Sequence, residues 1–458
     1  MDSWAKQNKT VDFKPHSYQV EGIKWILNHP GCGLFFRPGL GKTAVTLSAY
    51  KLLKDKGLVD KLYIIAPLRV CYSVWPNEIQ HWQQFAGLTY TILHGKDKDA
   101  NLNKDVDVYI INPDGISWLA DQMKSFSKDV KRMLVIDEST MFKNGTSQRF
   151  KILKKYLHLF DRRVLLTGTP APNGLIQLWS QIFLLDKGLR LGKYVTEFKN
   201  KYFYPSGFQG YDYKLQHDGE RRIYDAINDI VIHKDDDELK LPPKMINDIT
   251  IDLDSKSMQL YNDMKKRLII QYEEMEIKSV NAAVLTNKLR QISNGGIYHE
   301  DGTVVHIHDC KTEVVRELYD SLAGRPLLVM YEFRHDLQRL LKEFPDAGVI
   351  GSNTTPSDLY ITISMWNSGS VPILLLQPQS GGHGLNLQGG ECRDIVWYSM
   401  IYDLELYQQA NARVIRQGVK YSVTVHHLIC RGTIDSNILA VLEGKASVQQ
   451  SLLDAMLK

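Results

Sequence analysis

Ten short apolar, β-branched runs, five in each half of the chain, constrain its fold more than any other feature. In the first half they are CGLFF (32–36), LYIIA (62–66), VDVYII (106–111), MLVI (133–136) and RVLLT (163–167). In the second they are PLLVMY (326–331), AGVI (347–350), PILLLQ (372–377), DIVWYS (394–399) and SVTVHHLI (422–429). Amphipathic, helix-like stretches separate them. Continuous apolar strands are buried on both sides, which is the mark of parallel sheets covered by helices. The expectation is an α/β chain of two tandem lobes, each a mostly parallel sheet with helices on both faces. The first lobe is expected over 1–230, a linker over 231–250, and the second lobe over 251–458 with a helical lead-in. The stretch 185–320 reads as longer and more helical, with the charge run KDDDELK and a break at LPPK (241–244).

Composition excludes several classes. With 43% hydrophobic and 24% charged residues the 458-residue chain reads as globular, not disordered. No apolar run approaches the ~20 residues that cross a bilayer. The N-terminus MDSWAKQNKTVDFKP lacks the apolar core of a signal peptide, so the expected location is the cytoplasm, with no membrane partner. Cys32, Cys71, Cys310, Cys392 and Cys430 are scattered without CxxC spacing, which indicates neither zinc nor disulfides. His306, His308, Asp309 and Cys310 form only a faint metal-like cluster, and His426-His427 read as packing in a strand. Most of the 23 Tyr and 8 Trp read as core rather than as a base-stacking platform. Charge is uneven: residues 1–250 carry 36 Lys and Arg against 28 Asp and Glu, the remainder 20 against 24. A basic first half suits a phosphate backbone.

Two groups of residues carry chemistry. The run CGLFF leads into RPGLGKTAV, where Gly39 and Gly41 allow a tight turn whose amides face phosphate at a helix N-terminus. Lys42 can reach the β- and γ-phosphates of ATP, and the Thr43 hydroxyl can ligate Mg2+. A strict GxxxxGK[ST] pattern needs Gly at 36, where this chain has Phe36. The run MLVI then delivers Asp137 and Glu138. Asp137 is placed to hold magnesium, and Glu138 to orient or deprotonate the attacking water.

With these motifs the sequence resembles the Swi/Snf-type ATPases of helicase superfamily 2, over nearly its whole length. PHSYQVEGIKWIL looks like the family's adenine-reading motif, with Gln19 the adenine contact. RPGLGKT is similar to motif I, which implies nucleotide contacts from Pro38, Gly39, Leu40, Gly41, Lys42, Thr43 and Ala44. IAPLRVCYSVWPNEIQHW resembles motif Ia, implying that Pro67, Arg69 and Trp75 lie near the DNA track. VIDESTMFKN resembles the DEAH-type motif II, although Ser139-Thr140 replace the usual small residue and histidine. LLTGTPAPN is close to motif III, with Thr167, Gly168, Thr169, Pro170 and Asn173. VIHKDDDELKLPPK resembles the segment that joins the lobes, and KLRQISNG the early second-lobe signature. QSGGHGLNLQGG is similar to motif V, implying that Ser380, Gly381, Gly382 and Gly384 approach DNA and nucleotide. YQQANARVIRQG resembles motif VI, with Gln409 toward the nucleotide. Arg413 and Arg416, three apart and so expected on one helical face, correspond to its arginine fingers.

The resemblance implies RecA-like lobes, ATP and Mg2+ as cofactors, and a DNA-dependent ATPase that moves along double-stranded or forked DNA, RNA being an alternative track. The chain is expected to act as a monomer and, without appended modules, to draw its targeting from protein partners or DNA structure. Such compact versions look like those of bacteriophages and bacteria. Two other readings stand beside the translocase. One is a strand-separating helicase, for which the Tyr- and Phe-rich 200–225 segment would supply the wedge. The other is an ATP-gated DNA clamp that does not move.

Overall fold

The computed structural model describes residues 11–168, 170–171, 174–206, 212–235, 238, 242–274, 278–299, 301–381, 385–416 and 419–444. The chain divides into two compact units, Met1–Lys240 and Leu241–Lys458.

The first unit is built on a seven-stranded sheet. Its strands are β1 (Gly31–Phe36), β2 (Lys61–Ile65), β3 (Tyr90–Ile92), β4 (Val108–Ile111), β5 (Arg132–Asp137), β6 (Arg162–Thr167) and β9 (Val231–Lys234). They lie in the order β3-β4-β2-β5-β6-β1-β9, and every pairing is parallel. Alternation along each strand divides the core in two. Phe35, Tyr63, Ile65, Leu134 and Ile136 face the helices Ile116–Met123, Gln148–Tyr156 and Leu178–Asp186. Leu34, Phe36, Leu62, Ile64 and Val135 face the helices Ser17–Asn28, Lys42–Asp55 and Leu68–His81. Each strand therefore buries both sets of side chains, which is why these runs are apolar throughout. β7 (Phe203–Ser206) and β8 (Asp212–Leu215) form a separate antiparallel hairpin within the aromatic 200–225 segment.

The second unit holds a six-stranded, all-parallel sheet in the order β10-β17-β16-β13-β15-β14. These are β10 (Lys244–Ile251), β13 (Leu327–Met330), β14 (Gly348–Ile350), β15 (Ile373–Leu376), β16 (Asp394–Trp397) and β17 (Val423–Cys430). Leu328, Met330, Leu374 and Trp397 pack on one face, Leu327, Val329, Leu375 and Val396 on the other. The helices Ser255–Glu274 and Lys278–Ser293 follow β10 and precede the hairpin of β11 (Gly296–Tyr298) and β12 (Val304–His306).

The α/β class and both helix-covered sheets are as the sequence implied. The segment 231–250, expected as a linker, instead contributes β9 to the first sheet and β10 to the second. β10 is a largely exposed edge strand fixed to β17 by side chains as well as backbone. Asn247 Nδ2 lies 3.0 Å from His426 Nδ1, and Asp248 Oδ1 lies 2.7 Å from His427 Nδ1. The histidine pair thus ties β10 to β17 through hydrogen bonds. Burial lowers the pKa of His427 despite the Asp248 carboxylate beside it.

Candidate active site

Because the first sheet is wholly parallel, the segments leaving β1, β2, β5 and β6 emerge along one edge, where open α/β sheets bind ligands. After β1 the chain makes the phosphate loop. Gly39 (φ +89°) and Gly41 (φ +74°) take the left-handed conformation that residues with a Cβ avoid. Gly41 caps the helix Lys42–Asp55, and a Cβ on it would stand 2.5 Å from Gln19 Nε2. Lys42 Nζ donates to the loop's own carbonyls, Phe36 O at 2.8 Å and Arg37 O at 3.4 Å. Thr43 is half-buried in the first helical turn. The Leu40 and Ala44 side chains are core residues, so only their backbone can serve a ligand.

Gln19, 3% exposed, is held against this loop. Its Nε2 donates to Leu40 O at 3.2 Å while its Oε1 accepts from the His16 amide at 2.9 Å. Phe36 is fully buried where the strict loop pattern has glycine. Its ring packs edge-on to Tyr18 and would stand 3.0 Å from a Cβ on Gly22. Phe36 thus fastens the Gln19 helix under the loop and gives the loop only its carbonyl.

β5 ends on Asp137, which is 8% exposed. Its Oδ2 accepts from the indole of Trp75 at 3.0 Å and its Oδ1 from the Glu138 amide at 3.1 Å. Trp75, expected near the DNA track, thus turns its ring inward toward the carboxylate. The ring is fully buried, and its one polar atom braces the carboxylate. Glu138 follows in the left-handed region (φ 55°, ψ 63°), a conformation that costs a non-glycine residue about 1–3 kcal/mol and persists only where neighbours enforce it. The hydroxyl of Thr43 and carboxylate of Asp137 are hard oxygen donors, the set that suits magnesium.

Gly168, after β6, is packed on the phosphate loop: an added Cβ would lie 2.7 Å from Pro38 Cδ. Thr167 is fully buried, in register with Phe35. Pro67 and Arg69 sit at the start of the helix Leu68–His81, half-buried. Arg69 Nη1 is buried with no hydrogen-bond partner among the described residues. Thr169 and Asn173 lie outside the described residues.

In the second unit Ser380 and Gly381 follow β15, and a Cβ on Gly381 would strike Leu376. Gln377 receives the Ser380 hydroxyl at 3.1 Å and donates to Glu332 O at 3.1 Å, joining the ends of β15 and β13. Gly382 and Gly384 fall outside the described residues. Gln409 is buried and donates to Glu405 at 3.2 Å. The helix carrying it runs Leu404–Asn411, so Arg413 and Arg416 do not share a helical face as their spacing implied. They lie in the turns that follow, where buried Val414 anchors the chain and leaves both arginines half-buried.

Sequence reading missed a buried polar network here. Lys311 Nζ pairs with Asp435 at 2.8 Å and donates to Asn294 Oδ1 at 2.8 Å, both charges being almost wholly inaccessible. Asp336 accepts from Ser399 Oγ at 2.6 Å and from Arg339 at 3.1 Å. Its partners lie 42 or more residues apart for Asn294 and Ser399, which no local pattern reveals. His308, in the faint metal-like cluster, is buried with its Nε2 on Ile292 O at 3.0 Å, and burial drops its pKa to about 4. Among the described residues no group of three or more His, Cys, Asp or Glu is placed to hold a metal. Burial likewise pushes the thiols of Cys32, Cys71, Cys392 and Cys430 up to about 12.

A glycine-built phosphate loop and a braced Asp-Glu pair, at the same edge of one parallel sheet, define a phosphate-loop α/β protein. The model of the SNF2-related domain matches residues 18–295, more than half of the chain. The chain belongs to that family. It is 32% identical to the putative protein p41 of Acyrthosiphon pisum secondary endosymbiont phage 1, across 97% of this chain and 99% of that protein. It is 25% identical to the putative ATP-dependent helicase/translocase YwqA of Bacillus subtilis, across 96% of this chain but 48% of that protein. It spans 42% of a Mycoplasma pneumoniae uncharacterized ATP-dependent helicase, at 24% identity. Among solved structures it is similar to the SWI2/SNF2 ATPase core of Sulfolobus solfataricus in complex with double-stranded DNA, at 21% identity and a TM-score of 0.45, over 99% of this chain and 97% of that one. No helix among the described residues is long and apolar enough to cross a membrane.

Proposed function

We propose that this chain is an ATP-driven motor that hydrolyses ATP and moves along double-stranded or forked DNA. The observation that carries this reading is the braced pair: Trp75 holds Asp137, and Glu138 is forced into a left-handed turn directly beyond it. A solvated acidic turn would need neither device. In this reading the amides of residues 39–43 bind the β- and γ-phosphates, Lys42 leaves its resting carbonyls for them, and Gln19 reads the adenine. Thr43 and Asp137 would hold magnesium, which when bound offsets the phosphate charge. Glu138 takes the proton of the attacking water. Arg413 and Arg416 stabilise charge developing on the γ-phosphate, a contribution worth ~10³–10⁵ in rate for such arginines.

The cation this reading sets toward the DNA track is Arg69, half-buried at the start of the helix Leu68–His81. The names of relatives supply the same class of activity: helicase or translocase. Phage encoding, and so a host cytoplasm, is supported by the relative aligned along its whole length.

Steady-state ATP hydrolysis measured with no nucleic acid, duplex DNA, single-stranded DNA, forked DNA and RNA tests the proposal, with Lys42→Ala as the inactive control. Stimulation by duplex or forked DNA is expected. Equal rates in every condition would overturn the motor and favour the ATP-gated clamp. One feature favours a second reading: the β7–β8 hairpin forms where a separating wedge was expected. Unwinding of a labelled fork, lost when Phe203–Leu215 is shortened, would establish the strand-separating helicase instead.

A further inference from the structure

The helix Leu178–Asp186, LWSQIFLLD, is buried from Leu178 to Leu185 and carries Gln181 at a fully buried position. A buried carboxamide is costly unless both ends are paired. Here both are, and the partners lie on two functional turns. Gln181 Oε1 accepts from Ser139 Oγ at 2.6 Å, and Gln181 Nε2 donates to Pro170 O at 2.6 Å and to Gln177 O at 3.1 Å. The two carbonyls can only accept, so the amide orientation is fixed by its partners.

Each end of this bridge matters to the site. Ser139 is fully buried and immediately follows Glu138, whose left-handed backbone needs enforcement from its surroundings. Pro170 belongs to the turn after β6, in which Gly168 rests against Pro38 of the phosphate loop. Gly168 therefore meets the phosphate loop, and Pro170, two residues on, is joined through Gln181 to Ser139 and the backbone of Glu138. Two short bonds to one rigid amide leave little slack: moving the turn after β6 must either drag Ser139 or break a hydrogen bond.

We propose that Gln181 is a positioning residue that couples the turn after β6 to the turn bearing Glu138, and so sets how strongly nucleic acid stimulates hydrolysis. This rests on the reading of the chain as a nucleic-acid-stimulated ATPase with Glu138 as its base. It also gives Ser139 a role, since its hydroxyl makes a connection that a small apolar residue could not.

The test uses the full chain and the variants Gln181→Leu, Ser139→Ala and the double substitution. ATP turnover is measured with and without saturating duplex DNA, alongside urea melts and the KM for ATP. Gln181→Leu should cut the ratio of stimulated to unstimulated turnover by about tenfold while KM stays within about twofold. Ser139→Ala breaks one arm without disturbing helix packing and should cut the ratio in the same sense. The double variant should be no worse than Gln181→Leu, because both substitutions break one path. Wild-type ratios in folded variants, or additive losses in the double variant, would overturn the coupling. If Gln181→Leu fails to fold, Ser139→Ala decides alone. Wild-type protein that no nucleic acid stimulates would instead overturn the underlying functional reading, and the proposal with it.

Discussion

Replacing Trp75 by Phe isolates one bond of the site. The indole N–H lies 3.0 Å from Asp137 Oδ2, in a side chain with no solvent exposure. A hydrogen bond to a charged group contributes about 1.5–3 kcal/mol, and the smaller ring adds a partial cavity costing about 1 kcal/mol. The substitution should therefore destabilise the first unit by about 2.5–4 kcal/mol, visible as a drop of roughly 1 M or more in its urea midpoint. If the bond also fixes Asp137 for magnesium, its 1.5–3 kcal/mol reappears as a roughly 10- to 150-fold loss in kcat/KM, at about 1.36 kcal/mol per decade. The magnesium concentration needed for half-maximal turnover should rise as well. The assay is steady-state hydrolysis with saturating duplex DNA across a magnesium titration, at urea concentrations where the variant is folded. Normal turnover with a normal magnesium requirement would refute the bracing argument. Normal turnover without DNA, combined with weakened duplex affinity, would instead make Trp75 part of the DNA track.

Glu138→Gln should bind ATP normally and turn it over at least a hundredfold more slowly, as measured by filter binding and single-turnover hydrolysis; near-normal turnover would remove Glu138 as the base. Arg416→Ala should lower kcat at least tenfold with little change in nucleotide affinity, and equal kcat would mean that this arginine is not a finger. Stability should fall with acid through His308. Its folded pKa of about 4 lies below the ordinary histidine value near 6.5, so below pH 6.5 the unfolded chain takes up a proton that the folded chain refuses. The penalty should be about 2 kcal/mol at pH 5 and complete below pH 4, and His308→Gln should lose correspondingly less between pH 7 and pH 5 in urea melts.

The ten apolar runs all became strands because their information is local: a strand buried on both faces is apolar at every position. What escaped depended on distant partners or on weak local signals. β3 has only three residues, and β10 is an exposed edge strand whose Asn247 and Asp248 meet histidines 179 positions away. The bond from Trp75 is not legible in the sequence because motif resemblance places a residue near a track but not the direction of its ring. Its partner Asp137 is 62 residues on. Gln181 gave no signal at all, for a glutamine in an apolar helix is meaningful only once Ser139 and Pro170 are seen on either side of it. The spacing of Arg413 and Arg416 implied a shared helical face, but the helix stops at Asn411, whose Oδ1 is taken by the Trp397 indole at 3.1 Å.

The places where this chain departs from its family's pattern follow a common physical rule. At Phe36 the loop requires only a backbone carbonyl, which receives Lys42 Nζ, so the side chain is released to pack against Tyr18 and the Gly22 position. The two glycines that remain, Gly39 and Gly41, are those whose positive φ a side chain would strain. At Ser139-Thr140 the histidine of the usual motif is gone, and with it a long polar side chain able to reach across from motif II. The contact to the turn after β6 is made from the other side, by Gln181 reaching out of the helix beneath to meet the short Ser139 hydroxyl. Phosphate binding needs particular backbone conformations and tolerates variation in the side chains around them. A hydrogen-bonded link between two turns is one way to couple them, and different residues can supply it. In the coupling proposed for Gln181, a chain that loses a recognisable letter from motif II keeps its connection through a buried polar side chain placed where packing alone would have chosen leucine.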